Sequence, residues 1–479
     1  MRRPATVLAC LLALAVIGCG GSDETSATGA DSAAGIAPAN AAAYVAVDSD
    51  LDSDQWQQAQ ELLDRFPGKD RLLAELREEL GEEDIDWERD VDPALGPETA
   101  IVVLDGENDV VGLTKPDDRE KLDALLKRVN EEEDENYVLR EIEGWTAIAD
   151  TDAILDAFER GADAGTLDDD ERFQDALAEL PEQALAKAYI SGDAIDETAE
   201  ETTGSSTDVL TGGAKVVSVA LALEALDEGA KLSGATQLEG GDPPGAYEAT
   251  LLERVPDDAL AVFSFNDLAT GIEQAQSAEG VAPALSQVEQ LLGVDVDDLK
   301  RLVAGESIVY VRAGTPIPEV TVLLDVEDTA AAQSTVDRLA ERAASSLGAR
   351  TGTTEVDGEQ VKYVDIQGIR ISYTTFDGLL ALTSGPTGIR DARSDDDKIS
   401  GDERFQAAKE AAGMGDESNG FLYVDLKDSI PLVEGVAGLA DEEIPTEVSE
   451  NLAPLESFLA YAEQDGEILR FGGILAIAE

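Results

Sequence analysis

The sequence predicts an α+β protein, internally duplicated, with antiparallel sheets and packed amphipathic helices. Three observations predict it. Short apolar runs alternate with stretches whose apolar residues recur at three- and four-residue steps, the patterns of strands and of amphipathic helices. Gly- and Asn-containing turns join several neighbouring runs, as antiparallel hairpins require. The same segments then return in the same order in the second half.

Taken in order, Pro38 leads into Ala43–Val47, the first strand. Trp56, Ala59, Leu62, Leu63 and Phe66 keep helical spacing, and so do Leu72, Leu73, Leu76 and Leu80 after the Pro67-Gly68 break. Ile101–Leu104 and Val110–Leu113 read as a hairpin around Gly106 and Asn108. Arg119–Asn130 is an amphipathic helix with Leu122, Leu125, Leu126 and Val129 inward. Short strands follow around Tyr137–Leu139 and Trp145–Ala149, and Thr151 then caps a helix running to Phe158. Glu171-Arg172-Phe173-Gln174 begins another helix, and Ala186–Ile190 is a strand. Gly192–Gly213 reads as the largest loop, before a ribbon of Val216–Leu223 with Ala230–Leu238.

The order then restarts. Pro256–Ala261 stands where Pro38–Ala43 stood, each leading into an apolar strand. Leu292-Gly293 with Asp295–Asp297 repeats Leu80-Gly81 with Asp84–Asp86. Gly305-Glu306-Ser307-Ile308-Val309 matches Gly96–Val102, which is two residues longer. A helix carrying Val336, Leu339, Ala343 and Leu347 replaces Leu122–Val129. Glu403-Arg404-Phe405-Gln406 repeats Glu171–Gln174 residue for residue, and Gly420–Asp425 follows as a strand. The second ribbon is Ser457–Tyr461 with Ile468–Ile477. The expected units are 38–240 and 241–479, and the short joint Leu238–Glu248 requires them to touch.

The chain opens with Arg2 and Arg3, an apolar run Val7–Ile17, and Val16-Ile17-Gly18-Cys19. The run is too short to span a bilayer, which takes about 20 residues. The segment resembles a bacterial lipoprotein signal. That resemblance implies a signal peptide over 1–18, a diacylglycerol thioether with further acylation on Cys19, and a flexible tether over 19–37. The body would then stand on the extracytoplasmic face of the cell membrane. Cys10 would leave with the signal, so no intramolecular disulfide would be available.

With 34 basic and 103 acidic residues the net charge is −69. This excludes a nucleic-acid partner, which needs a basic footprint, and it disfavours attraction to anionic headgroups. The histidine count is zero, which removes His-dependent triads and His-containing zinc sites. Neither a Gly-Lys-Ser/Thr phosphate loop nor a GxSxG elbow is present. No enzyme activity and no cofactor are expected. Asp48, Asp50, Asp52 and Asp54 alternate like the opening of a calcium loop. However, Ser53 replaces the turn glycine, Ala59 replaces the closing glutamate, and Ser264-Phe265-Asn266-Asp267 in the second half lacks the cluster. A weak calcium contact therefore stands second to a solvated loop whose aspartates cap the next helix. Trp56, Trp87 and Trp145 are assigned to packing.

The lipobox, the Pro-x-x-Ala-x-Ala lead into a strand, the Gly-Glu-Ser-Ile-Val strand and the Glu-Arg-Phe-Gln segment together resemble the DUF3352 family of bacterial envelope lipoproteins. The likeness covers most of Pro38–Glu479. The family supplies no catalytic residues to carry over. The expected function is a non-enzymatic envelope lipoprotein with a binding or structural role, its partner an envelope protein, a cation or a lipid. The main alternative is a carrier of lipid or another hydrophobic ligand, with Val216–Leu223 and Gly472–Ile477 as walls of an apolar tunnel.

Overall fold

The computed structural model describes residues 32–71, 73–74, 91–104, 109–132, 136–203, 213–241, 245–277, 287, 289, 293–314, 317–366, 368–439 and 444–478. The first half holds β1 (Ala43–Asp48), β2 (Glu98–Val103), β3 (Val110–Thr114), β4 (Val138–Ile142), β5 (Trp145–Ala149), β6 (Ala186–Ser191), β7 (Lys215–Leu226) and β8 (Gly229–Glu239). A short β9 (Tyr247–Glu248) follows. The second half holds β10 (Ala259–Asn266), β11 (Glu306–Arg312), β12 (Glu319–Asp325), β13 (Arg350–Val356), β14 (Glu359–Ile366), β15 (Ile369–Phe376) and β16 (Leu379–Thr383). It ends with β17 (Glu417–Ser418), β18 (Gly420–Asp425), β19 (Leu455–Asp465) and β20 (Ile468–Ile477).

Except for the β9–β17 pair, these strands form one 18-stranded sheet, antiparallel throughout. Across it the first half runs β4-β5-β3-β2-β1-β6-β7-β8. The second half runs back as β20-β19-β18-β10-β11-β12-β16-β15-β14-β13. Outward from the β8–β20 seam the two orders match strand for strand, until the second half adds two strands at its edge. The seam is a full antiparallel ladder from Gly229↔Ala476 to Gln237↔Ile468. The touching halves therefore share backbone hydrogen bonds as well as a surface.

Smaller features match too. Pro38 bridges Thr166, and Pro256 bridges Lys398. Before each leading proline a 3₁₀ turn (Ser32–Gly35, Thr250–Arg254) is held by the first residue of a strand. Ser32 donates to Glu98, and Thr250 donates to Glu306 at 2.6 Å. This turn shortens the expected tether. Ala33, Ala34, Ile36 and Ala37 are buried in the first core, because small apolar side chains fit under the sheet there. Residues 1–31, Cys19 among them, lie outside the described residues.

The helices used below are α1 (Asp54–Asp64), α2 (Arg119–Glu132), α3 (Asp152–Ala162), α4 (Glu171–Ala178), α5 (Gly192–Thr203), α6 (Thr329–Leu347), α7 (Gly388–Arg393), α8 (Glu403–Ala412), α9 (Leu426–Leu439) and α10 (Thr446–Leu452). The repeated Glu-Arg-Phe-Gln has a local cause. Asp170 and Asp402 cap α4 and α8, accepting from the Arg172 and Phe405 amides. Gln174 and Gln406 reach back to the carbonyls of Asp168 and Ser400. Phe173 stands edge-on to Tyr44 and Tyr189, while Phe405 stands edge-on to Tyr423 at 5.1 Å. The motif is a cap, a back-bond and a core anchor.

One element differs from the sequence reading, and two lie where that reading assigned none. Gly192–Gly213 begins as α5, although its small and polar residues read as loop. α9 follows β18 in the same way and carries Pro431 inside it. The meander β13–β16 stands where the first half has only the β4–β5 hairpin, and its mostly polar outer strand Arg350–Val356 lies at the sheet edge.

Charge sets a prediction for stability. Burial raises the pKa of Asp48, Glu224, Glu306 and Asp425 above the ordinary carboxylate value. For these groups the folded state binds more protons than the unfolded one, so stability falls as pH rises through that interval. Lowering the pH from neutral toward the ordinary carboxylate range should therefore raise the melting temperature, while easing the repulsion of so acidic a chain. Below that the sign reverses, because Asp170 and Asp298 are held below their usual range by Arg172 and Arg338. Calorimetry across pH would read both limbs.

Candidate functional site

One face of the sheet is closed. Tyr44, Tyr189 and Ala220 in the first half, and Val262, Tyr423, Leu459 and Ile474 in the second, sit in two cores that also hold residues of α3, α4, α7 and α8. The other face is covered at the flanks. Residues of α2 pack against Ile148, and residues of α6 against Leu324, Leu380 and Tyr373. Between these flanks the centre is only partly covered among the described residues, by helices that pack at its margins and over part of it.

The pleat decides what this partly covered centre presents, since alternate residues share a face. A bulge between Val216 and Ser218 resets the alternation in β7. Beyond it Val219, Leu221 and Leu223 face the open side, and Leu232 of β8 lies opposite Leu223. Phe471 and Leu475 of β20 continue the row, then Phe458, Ala460 and Ala462 of β19. Leu422 of β18 and Phe263 of β10 are paired beyond them. Leu223, Leu232, Phe263 and Leu422 remain 37–46% exposed. From β6 to β10, seven strands put one charged residue on this face, Glu456 at the start of β19.

Two details keep the floor smooth. A Cβ on Gly234 would meet the Phe471 ring at 2.3 Å, so the glycine lets that ring lie across the seam. Phe263 and Phe265 stack obliquely at 5.0 Å on β10.

Helices wall the floor. Leu62 of α1 packs on Ala225 and Ile477, one from each half. Gln55 donates to the Ala225 carbonyl and accepts from its amide, at 3.2 and 2.9 Å. Arg65 donates to the Asp227 and Ile477 carbonyls. At the other end of β7, Ile195 of α5 packs against Val216, Val219 and Leu469. α9 runs over β19, β18 and β10, and its Ser449–Glu434 contact joins it to α10. Along β7, Val219 to Ala225 spans about 20 Å, and seven strands span about 29 Å. The result is a broad apolar trough across both halves.

The expected wall segments Val216–Leu223 and Gly472–Ile477 do lie near one another, separated by β8. Together with β8 they form one continuous stretch of sheet, joined by the β7–β8 and β8–β20 ladders. A separate cavity of about 220 Å³ is lined by Glu289, Gly293, Val294, Asp295 and Arg338 and is polar.

The aspartates of the expected calcium loop are not gathered. Asp48 ends β1 and accepts from the Asp50 amide, Asp50 accepts from the Asp52 amide, and Asp54 opens α1 behind the Ser53 cap. Each serves its own turn. Among the described residues no group of three or more His, Cys, Asp or Glu is placed to hold a metal ion. Trp56 is buried and donates to the Asp48 carbonyl at 2.6 Å, and Trp145 lies buried under Lys115. Trp87 lies outside the described residues. Among those described, no helix is long and apolar enough to cross a membrane.

On the closed side of the seam, Glu224 accepts from Ser233 at 3.3 Å, and Arg470 pairs with Glu179 at 2.7 Å. The first braces β7 to β8, and the second ties the C-cap residue of α4 to the second half.

The model of a family described as a protein of unknown function, DUF3352, matches residues 149–476. The chain belongs to this family. No curated protein matches the sequence. Among solved structures, three crystal forms of TP0453 are matched by this DUF3352 chain at low TM-score. Crystal form IV is 13% identical, covering 46% of this chain and 76% of its own, with a TM-score of 0.23. Crystal form I is 14% identical over 46% and 76%, with a TM-score of 0.22. Crystal form III is 13% identical over 47% and 93%, with a TM-score of 0.23.

The sequence reading missed Phe263 and Leu422 as site residues. Their signal was present. Ala259–Phe265 and Phe421–Val424 are apolar at nearly every position, and a strand apolar on both faces needs cover on both.

Proposed function

We propose that this DUF3352 protein is a non-enzymatic envelope lipoprotein that binds the hydrocarbon part of a ligand on the open face of its central sheet. In this reading a lipid on Cys19 holds the chain to the outer side of the cell membrane, and two copies of one unit make the body. One observation carries it: the apolar floor runs unbroken across both halves and stays part-exposed. Contiguous apolar patches beyond a few hundred Å² mark interaction sites. Fully burying one such side chain contributes about 1.5–3 kcal/mol, so covering the exposed parts of Leu223, Leu232, Phe263 and Leu422 would contribute about 4 kcal/mol. That is too little to offset the cost of association, so the ligand must cover the smaller side chains as well. A flexible chain of methylenes lying along the trough would do so.

Native and denaturing mass spectrometry of the gently purified chain tests this. The native spectrum should carry extra mass of lipid size that is absent after denaturation, which separates bound lipid from any lipid attached to Cys19. Identical masses, together with no binding of a fluorescent acyl probe, would refute the proposal.

A further inference from the structure

We infer that the trough selects amphiphiles without net negative charge and rejects those with an anionic headgroup. This rests on the trough being a hydrocarbon site. The apolar floor itself is indifferent to a headgroup, which must sit at the rim among the surrounding helices.

That rim is strongly one-sided. α1 carries three acidic residues and α5 carries five, with no base in either. α9 carries two acids and one lysine, Lys427, and α10 carries two acids and no base. Lys427 is paired with Glu456 at 3.1 Å. The neighbouring cations are engaged as well. Lys69 is paired with Asp64, Arg71 with Glu447, and Lys215 with Asp193, and Arg65 donates to two carbonyls at the seam.

An anionic headgroup among these helices would thus meet more carboxylates than bases and would have to displace an existing partner to gain one of these cations. In the background of a chain at −69 the cost is long-ranged at low salt and screened at high salt. A neutral headgroup avoids the cost, and a cationic one is attracted.

Three probes with the same sixteen-carbon chain separate the effects: a fatty-acid carboxylate, a monoacylglycerol and an alkyltrimethylammonium, each below its micelle concentration. Calorimetric titration of the full chain should give the neutral and cationic probes at least about tenfold tighter binding than the carboxylate at low salt. The ratio should shrink toward one in about 1 M NaCl, where the Debye length is about 3 Å. A double variant, Glu197→Lys with Glu200→Lys, changes two exposed rim residues and should tighten carboxylate binding several-fold without moving the neutral probe. Equal or tighter carboxylate binding at low salt would overturn the charge selection while leaving the trough in place. If no probe binds, the trough reading itself fails.

Discussion

Replacing Phe405 with Ala is expected to destabilise the chain by about 3–5 kcal/mol, the largest effect foreseen for a single substitution. The ring is fully buried, meets Tyr423 edge-on at 5.1 Å and lies 5.9 Å from Phe421. Truncating it opens a cavity under β18 and loosens α8. The neighbouring Arg404 makes the loss wider, since it joins α8 to Asp425 and Asp428 at 2.7 Å each. Phe173→Ala should act alike in the first half, where the ring packs between Tyr44 and Tyr189. Glu403→Ala, at an exposed first-turn position in the same motif, should stay within about 0.5 kcal/mol. Denaturant melts of the three variants provide the check. A cost below about 1 kcal/mol for Phe405→Ala would mean that the repeated motif does not anchor its core.

The second large effect concerns binding. A double variant, Leu223→Asp with Leu232→Lys, places opposite charges on a facing pair and so preserves the strand pairing. Both side chains are more than a third exposed, so the melting temperature should move by no more than about 2 °C. Affinity for a neutral acyl probe should fall at least about tenfold, because desolvating the new charges under hydrocarbon is costly. Unchanged affinity in a folded variant would place the ligand elsewhere.

Much of the fold was legible in the sequence because its markers occur twice. The Glu-Arg-Phe-Gln pair acts within a few residues, while Pro38 and Pro256, and Glu98 and Glu306, make the same long-range contact in each half, so each marker recurs in the same order. α5 was hidden because Gly192 opens it and Thr202 and Thr203 close it, all weak helix formers whose packing through Ile195 outweighs propensity. The trough was less legible still. Which face a residue takes depends on the bulge after Val216 and on the β8–β20 register, and neither leaves a local mark. Gly234 reads as a weak point in a strand until Phe471 is seen lying across it.

The most direct test of the trough is photolabelling of the full chain with a neutral acyl probe bearing a diazirine near the middle of its hydrocarbon chain. Peptide mapping should place the labels on β7, β8, β19 and β20, on both sides of the seam, with unlabelled neutral lipid competing. Labels confined to other surfaces, or labelling that unlabelled lipid does not reduce, would contradict a hydrocarbon site on this face.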